Sequence, residues 1–317
     1  MRTSIIQAKI KAFLHDPLHK SLMLMQTSER HEDIARDLAN IVGVSLSEIE
    51  EIKLADQLAS AADRFIFPDT KEFFIKFLDD PIISHPFSGV QKNFKTRIEQ
   101  KSKSEIIDEA LGAIENTLKK YDQWLQKHVE SPVKTELLYW LLLRRFNGDV
   151  RKEIKNDVIR SIWPFLPAET RIPDHNLWNH LKVTTAISAC VSQSTGQSQA
   201  NWIEASFLLF SLGPVQSFIG TARKTLDHWM GSFLLSYLTF TAMQAVFEEI
   251  GADAIIFPEL FGQPFLDAYL ANKFPREFED LKPESTELLT PSLPNRFLAI
   301  VPTGIAKKLA QKAEETI

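Results

Sequence analysis

The stretch Ser206 to Leu238, SFLLFSLGPVQSFIGTARKTLDHWMGSFLLSYL, constrains the fold more than any other part of the chain. It opens on an uncharged apolar run, Phe207 to Leu212, whose length and composition predict a buried central strand. Gly213-Pro214 then breaks the run, and proline suits the first turn of a helix. Val215, Phe218, Ile219 and Ala222 recur at helical spacing and are predicted to face that strand. Arg223, Lys224 and Asp227 fall late in this helix, and a second apolar helix is predicted from about Gly231. Strand, tight turn and helix make the first unit of an α/β layer, which other elements must cover.

The remaining sequence supplies that cover and more. At 317 residues, length alone predicts two domains, and 44% hydrophobic with 24% charged residues is ordinary for a globular chain with a core. A net charge of -5 does not advertise a nucleic-acid binder, so any such contact must come from a local patch. The single cysteine, Cys190, excludes an internal disulfide and a multi-cysteine zinc site, and it fits a reducing cytoplasm. The N-terminus is too polar for a signal peptide, and no apolar run is read as approaching a membrane span.

In the first part of the chain the pattern is helical. Ile6, Ile10, Phe13 and Leu14 share a face, and His15-Asp16-Pro17 ends the helix because a residue before proline leaves the helical region. A His-Asp pair at such an end either caps nearby backbone or supplies two ligands to a metal, as in HD phosphohydrolases. Helices are predicted over 34–42 and 46–67, with Ser45 or Ser47 as a cap for the second. Within the second, LADQLASAADRF sets Asp56 among Leu54, Leu58, Ala61 and Ala62. A carboxylate in such surroundings is costly unless paired or ligated. Asp63 reads better as a salt-bridge partner of Arg64 or Arg97. His31 and Asp33 are explained by helix-terminus chemistry.

Residues 68–89 read as a loop-rich passage. A long amphipathic bundle helix follows, on Ile107, Leu111, Ile114, Leu118, Tyr121 and Leu125, and then an apolar helix over 136–146. Arg144, Arg145, Arg151 and Lys152 form either a basic patch or a solvated helix end. From about Leu177 a further helix carries His180, Val183, Thr184 and Ile187 on one face, with His175 just before it as a second candidate ligand or a cap. Ser192 to Gln199, SQSTGQSQ, reads as a linker. The expected domains are therefore 1–198 and 199–317. In the second, strands at 254–257 and 296–301 and helices at 265–273 and 305–315 follow the opening unit. That order leaves a ferredoxin-like fold one strand short, as in a fragment cut inside its second domain.

GPVQSFIGTARKTLDHWMGSFLLSYL resembles the start of the first palm domain in the large subunits of type III CRISPR effector complexes, in their Cmr, or type III-B, form. AFLHDPLHK at 12–20 and ETRIPDHNLWNHLKVTTAISA at 169–189 support the match in the right order. The resemblance implies an α+β chain: an all-α, circularly permuted HD-type bundle followed by an incomplete ferredoxin-like palm. It implies metal ligands His15, Asp16, Asp56 and His180; Lys20, close to His15 in the chain, would neutralise the scissile phosphate if it faces the site and is otherwise solvated. The chain has Asn179 where the family often has Asp. It also implies a divalent transition metal (manganese, cobalt or nickel), cleavage of single-stranded DNA, and partners comprising the other effector subunits, CRISPR RNA and target RNA, with no membrane. The first palm is degenerate: FLLFSLG has no acid, FPELFG offers only Glu259, and no GGDD occurs. Gly213, Gln216 and Ser217 would meet ATP only with a second palm, the partner in cyclic oligoadenylate synthesis. A silent HD scaffold and an HD nucleotide phosphohydrolase are the alternatives.

Overall fold

A computed structural model describes residues 3–23, 31–46, 49–60, 76–85, 87–95, 102–168, 175–194 and 203–317. The protein is a mixed α+β chain in two compact units, Gln7–Ser188 and Ala189–Ile317 with Met1–Ile6. The linker expected at 192–199 begins as helix: residues 192–194 complete the helix Leu177–Ser194, and 195–199 lie outside the described residues, as do Asp63, Arg64 and Arg97.

The unit Gln7–Ser188 is helical, with one small hairpin. Its helices include α1 (Thr3–Leu14), which enters from the other unit, α2 (His31–Ile41) and α3 (Ile49–Ala59). The hairpin pairs β1 (Ile82–Ser84), inside the passage read as loop, with β2 (Gln91–Asn93), just beyond it. The central helix is α4 (Lys103–His128). Its Ser102–Glu105 capping box satisfies backbone donors at its start, and it buries Ile107, Ile114, Leu118, Tyr121 and Leu125 as the periodicity predicts. The apolar helix expected at 136–146 runs longer, from Ser131 to Glu153, with a π turn over Leu141–Arg145. At that turn Arg145 Nε and Tyr121 Oη both donate to Asp149, at 3.2 and 2.8 Å. Arg145 therefore belongs to a half-buried internal network. The helix α5 (Leu177–Ser194) completes the elements that build the site.

The second unit has a three-stranded antiparallel sheet in the order β3 (Ala205–Ser211), β5 (Arg296–Pro302), β4 (Ile255–Phe257). The central strand is thus β5, not β3. Among the described residues β3 pairs only with β5, and Phe207 and Leu209 are 74% and 69% exposed. An uncharged run marks a strand but does not say how many sides of it are covered.

The turn after β3 also departs from expectation. The helix α6 is short (Val215–Gly220) and buries no residue, and Phe218 is 46% exposed. Arg223 and Lys224 lie beyond it, and the next helix, α7 (Thr225–Ile250), starts six residues before Gly231. Asp227 accepts from the Lys224 backbone N–H at 3.2 Å, closing the start of α7 rather than the end of α6. By length and a mean hydropathy of 1.3, α7 reaches membrane-span values, contrary to the sequence reading. Its C-terminal half instead packs in the core through Phe240, Met243, Val246 and Phe247. It lies against α8 (Thr303–Glu315), where Lys312 pairs with Glu249 at 2.8 Å.

Candidate metal centre

Three segments of the helical unit bring polar side chains to one place. The proline at 17 ends α1 and turns His15 and Asp16 away from its axis. In α3, Ala55 packs fully buried while the next residue, Asp56, faces the cluster. On α5, Leu177 and Leu181 anchor the buried face that also presents His180. Ligand atoms of His15, Asp56 and His180 all lie within 4.8 Å of one another. His180 Nε2 is 3.0 Å from Asp56 Oδ1, 124 residues away in sequence, and His15 Nε2 is 3.5 Å from the same oxygen.

Asp16 stands beside this trio rather than within it. Its Oδ2 is 3.5 Å from His15 Nε2 and accepts from Lys20 Nζ at 2.6 Å. Lys20, four residues on, therefore reaches the site through Asp16. His175 is adjacent on the chain side of α5, its ring 6.3 Å from that of His180. His31, assigned from sequence to helix-terminus chemistry, opens α2 with Nε2 3.8 Å from Asp16 Oδ1. No local pattern distinguishes it from a capping residue; only the packing of α2 brings it here. Thr184, placed by spacing on the His180 face, donates to the His180 carbonyl at 2.9 Å and sits 3.5 Å from His180 Nε2. Asp33 pairs with Arg36 at the surface.

The donor set is short of positive charge. His15 Nδ1 lies 2.6 Å from the Ala12 carbonyl, which can only accept, so Nδ1 carries a proton and Nε2 is the nitrogen left for the cluster. That Nε2 is buried without a hydrogen-bond partner while two carboxylates face it, and His180 Nδ1 is also unpartnered. Burial alone would lower the pKa of His15, but Asp16 and Asp56 outweigh it and raise it. Burial would raise Asp56, yet His15 close beside it and the hydrogen-bonded His180 hold it far below the carboxylate range. Asp16 is likewise lowered, against its burial, by Lys20 and His15. Two imidazoles and a carboxylate whose ligand atoms lie this close, with ring nitrogens left unpartnered, fit a divalent transition metal, whose ligand preferences these groups meet. The cluster opens onto a cavity of about 580 Å³, whose lining includes His15, Asp16, Lys20, His31, Lys53 and Asp56.

The other expected site is not gathered in this way. Gly213, Gln216 and Ser217 lie exposed on the surface of the second unit, around the start of α6.

The chain matches known proteins along its length. Residues 207–317 match the family model described as CRISPR-associated protein Cmr2, N-terminal. The CRISPR system Cmr subunit Cmr2 of Pyrococcus furiosus is 28% identical over 98% of this chain and 37% of its own length. The Cmr2 subunit of Saccharolobus solfataricus is 26% identical over 91% of this chain and 27% of its own length. The chain thus spans well under half the length of these curated relatives. Together with the three resembling stretches, these matches place the chain in the family of Cmr2, the large subunits of CRISPR Cmr systems, at its N-terminal portion.

Proposed function

We propose that the helical unit is a metal-dependent phosphodiesterase of the HD type that cleaves single-stranded DNA within a type III-B CRISPR effector complex. The observation that carries this reading is the convergence of His15, Asp56 and His180 on one point. In it His15, Asp56 and His180 hold manganese, cobalt or nickel, with Asp16 as the fourth donor. Such an ion, when bound, supplies Lewis-acid chemistry for phosphodiester hydrolysis. The Ala12 carbonyl fixes the tautomer of His15 and so aims Nε2 at the cluster. Asp16 and Lys20 share a proton-rich contact at 2.6 Å. If Asp16 turns to the metal, Lys20 is released toward the cavity, where its ammonium can meet a phosphate.

The second unit we read as the non-catalytic palm of a cyclic oligoadenylate synthase. Gly213, Gln216 and Ser217 would contact ATP only beside a second palm, and this chain alone should make no such product. CRISPR RNA, target RNA and the other effector subunits are the partners this reading carries. A second reading, hydrolysis of a free nucleotide, is favoured by the cavity, whose volume of about 580 Å³ suits a ligand of that size.

The test pairs metal content with a substrate panel. The chain should retain about one manganese and cleave single-stranded DNA, and His15→Ala with Asp16→Ala should abolish both. Cleavage of nucleotides but not DNA selects the second reading. Absence of metal binding and of both activities leaves a scaffold.

A further inference from the structure

The hairpin β1–β2 presents an aromatic side chain that folding does not use. Phe87 is 95% exposed at its tip. Its described neighbours are hydrogen-bonded to one another: His85 and Val90 are joined by a backbone bond of 2.9 Å, and Gly89 N–H bonds back to the His85 carbonyl. His85 Nδ1 accepts from the backbone N–H groups of Phe87 and Ser88 at 3.3 and 3.2 Å. Gly89 takes φ +66°, a conformation that favours glycine. A phenyl ring whose neighbours are hydrogen-bonded costs less entropy to engage than one on a loose loop.

Charge identifies the partner. From Pro81 to Lys95 the sequence has no acidic residue, while Lys92 and Lys95 are exposed, in a chain of net charge -5. Asp80, just before Pro81, is an exposed acid at the hairpin's base, and Asp79 before it is paired with Lys103. Lys92 Nζ stands 6.0 Å from the ring of Phe165, which is 50% exposed. Phe165 belongs to the segment behind α5: Pro167 bridges Asn176, Leu177 N–H bonds to the Leu166 carbonyl at 2.8 Å, and Trp178 Nε1 donates to the Trp163 carbonyl at 3.4 Å. The surface therefore adjoins the turn that leads into His180.

We propose that the hairpin and Phe165 form a binding surface for single-stranded nucleic acid, with Phe87 and Phe165 as faces for base stacking and Lys92 as a phosphate contact. Exposed rings beside lysines suit unpaired bases, which every sequence offers, whereas a duplex hides its base faces. As a route for substrate the inference rests on the nuclease reading, but the binding surface itself needs no metal.

The experiment is fluorescence anisotropy of labelled 20-mers with the full 317-residue chain, in EDTA, so that failure of the metal site leaves the result untouched. Thymidine and uridine oligomers distinguish DNA from RNA, and a duplex serves as the contrast. Phe87→Ala should weaken single-strand binding about ten-fold, and Phe87→Trp should restore it. Lys92→Ala should also lower the dependence of log affinity on log salt by about 0.7. Phe87 is too exposed for its removal to unfold the chain, and an unchanged circular dichroism melt checks this. Affinity within two-fold of the parent in Phe87→Ala, absence of single-strand binding by the parent chain, or equal affinity for duplex would each overturn the proposal.

Discussion

The two units treat their polar sequence signals in opposite ways. The helical unit draws His15, Asp16, Asp56 and His180 from three segments to one place, where neighbouring polar atoms lie 3.0–3.5 Å apart. The second unit leaves Gly213, Gln216 and Ser217 on its surface with the apolar side chains Phe207 and Leu209 of β3 exposed shortly before them in sequence. Burial makes the difference. A polar group taken from water must find a partner, so an interior cluster is a built site. An exposed turn is satisfied by solvent and becomes a site only when something covers it.

The largest effect that tests this contrast is on metal affinity. His180→Ala should weaken manganese binding by calorimetry more than about 100-fold, beyond the 10- to 100-fold typical of a group that only supports a ligand. Gln216→Ala and Ser217→Ala should leave it unchanged. Equal affinity in His180→Ala would break the comparison, because the interior cluster would then be no more a site than the exposed turn.

A smaller effect is expected at the pair beside the trio. Lys20→Met leaves the mostly buried Asp16 carboxylate without its cation, and the metal-free chain should lose about 1–3 kcal/mol in urea unfolding, the solvent-exposed part of Lys20 tempering the loss. Asp16→Asn with Lys20→Met should recover much of it. A single variant as stable as the parent would show that Asp16 needs no partner.

Acidity sharpens the comparison within one helix turn. His15 and His19 are four residues apart, yet their pKa values move in opposite directions. Burial lowers His19 to about 4, with neither ring nitrogen hydrogen-bonded, whereas the carboxylates raise His15 against its burial. For His19 the unfolded chain binds a proton the folded one refuses, so stability falls as pH drops from about 6.5 to about 4. For His15 the folded chain binds the extra proton, so its contribution is full below about 6.5 and is lost as pH rises through its raised value. His19→Leu should flatten the acid side of a metal-free pH–stability profile and leave the upper side, and His15→Gln should do the reverse. Identical profiles would place both rings in equivalent surroundings.

The smallest effect on stability is at the edge of the sheet. Phe207→Lys with Leu209→Lys should change unfolding free energy by no more than about 0.5 kcal/mol per site, since both side chains are exposed. The same change should reduce self-association by light scattering, because a strand paired on one side among the described residues, with an exposed apolar face, invites pairing. A large loss of stability would mean that these residues are packed rather than bare.

The sequence by itself determined the elements whose signal is local and the residues whose chemistry demands company. The heptad-like run in α4, the strands at β4 and β5 and the helix α8 were legible because periodicity records which side of an element is buried. Asp56 was legible because an acid among alanines and leucines needs a reason. The tertiary structure alone decided what depends on neighbours distant in sequence. It put β3 at an edge, because an apolar run does not encode how many strands flank it. It formed the hairpin β1–β2 from strands of three residues each, too short for alternation to register. It turned Asp16 onto Lys20, and it added His31 to the cavity, because the aim of a side chain at a chain turn is set by the packing of helices that the turn itself does not specify.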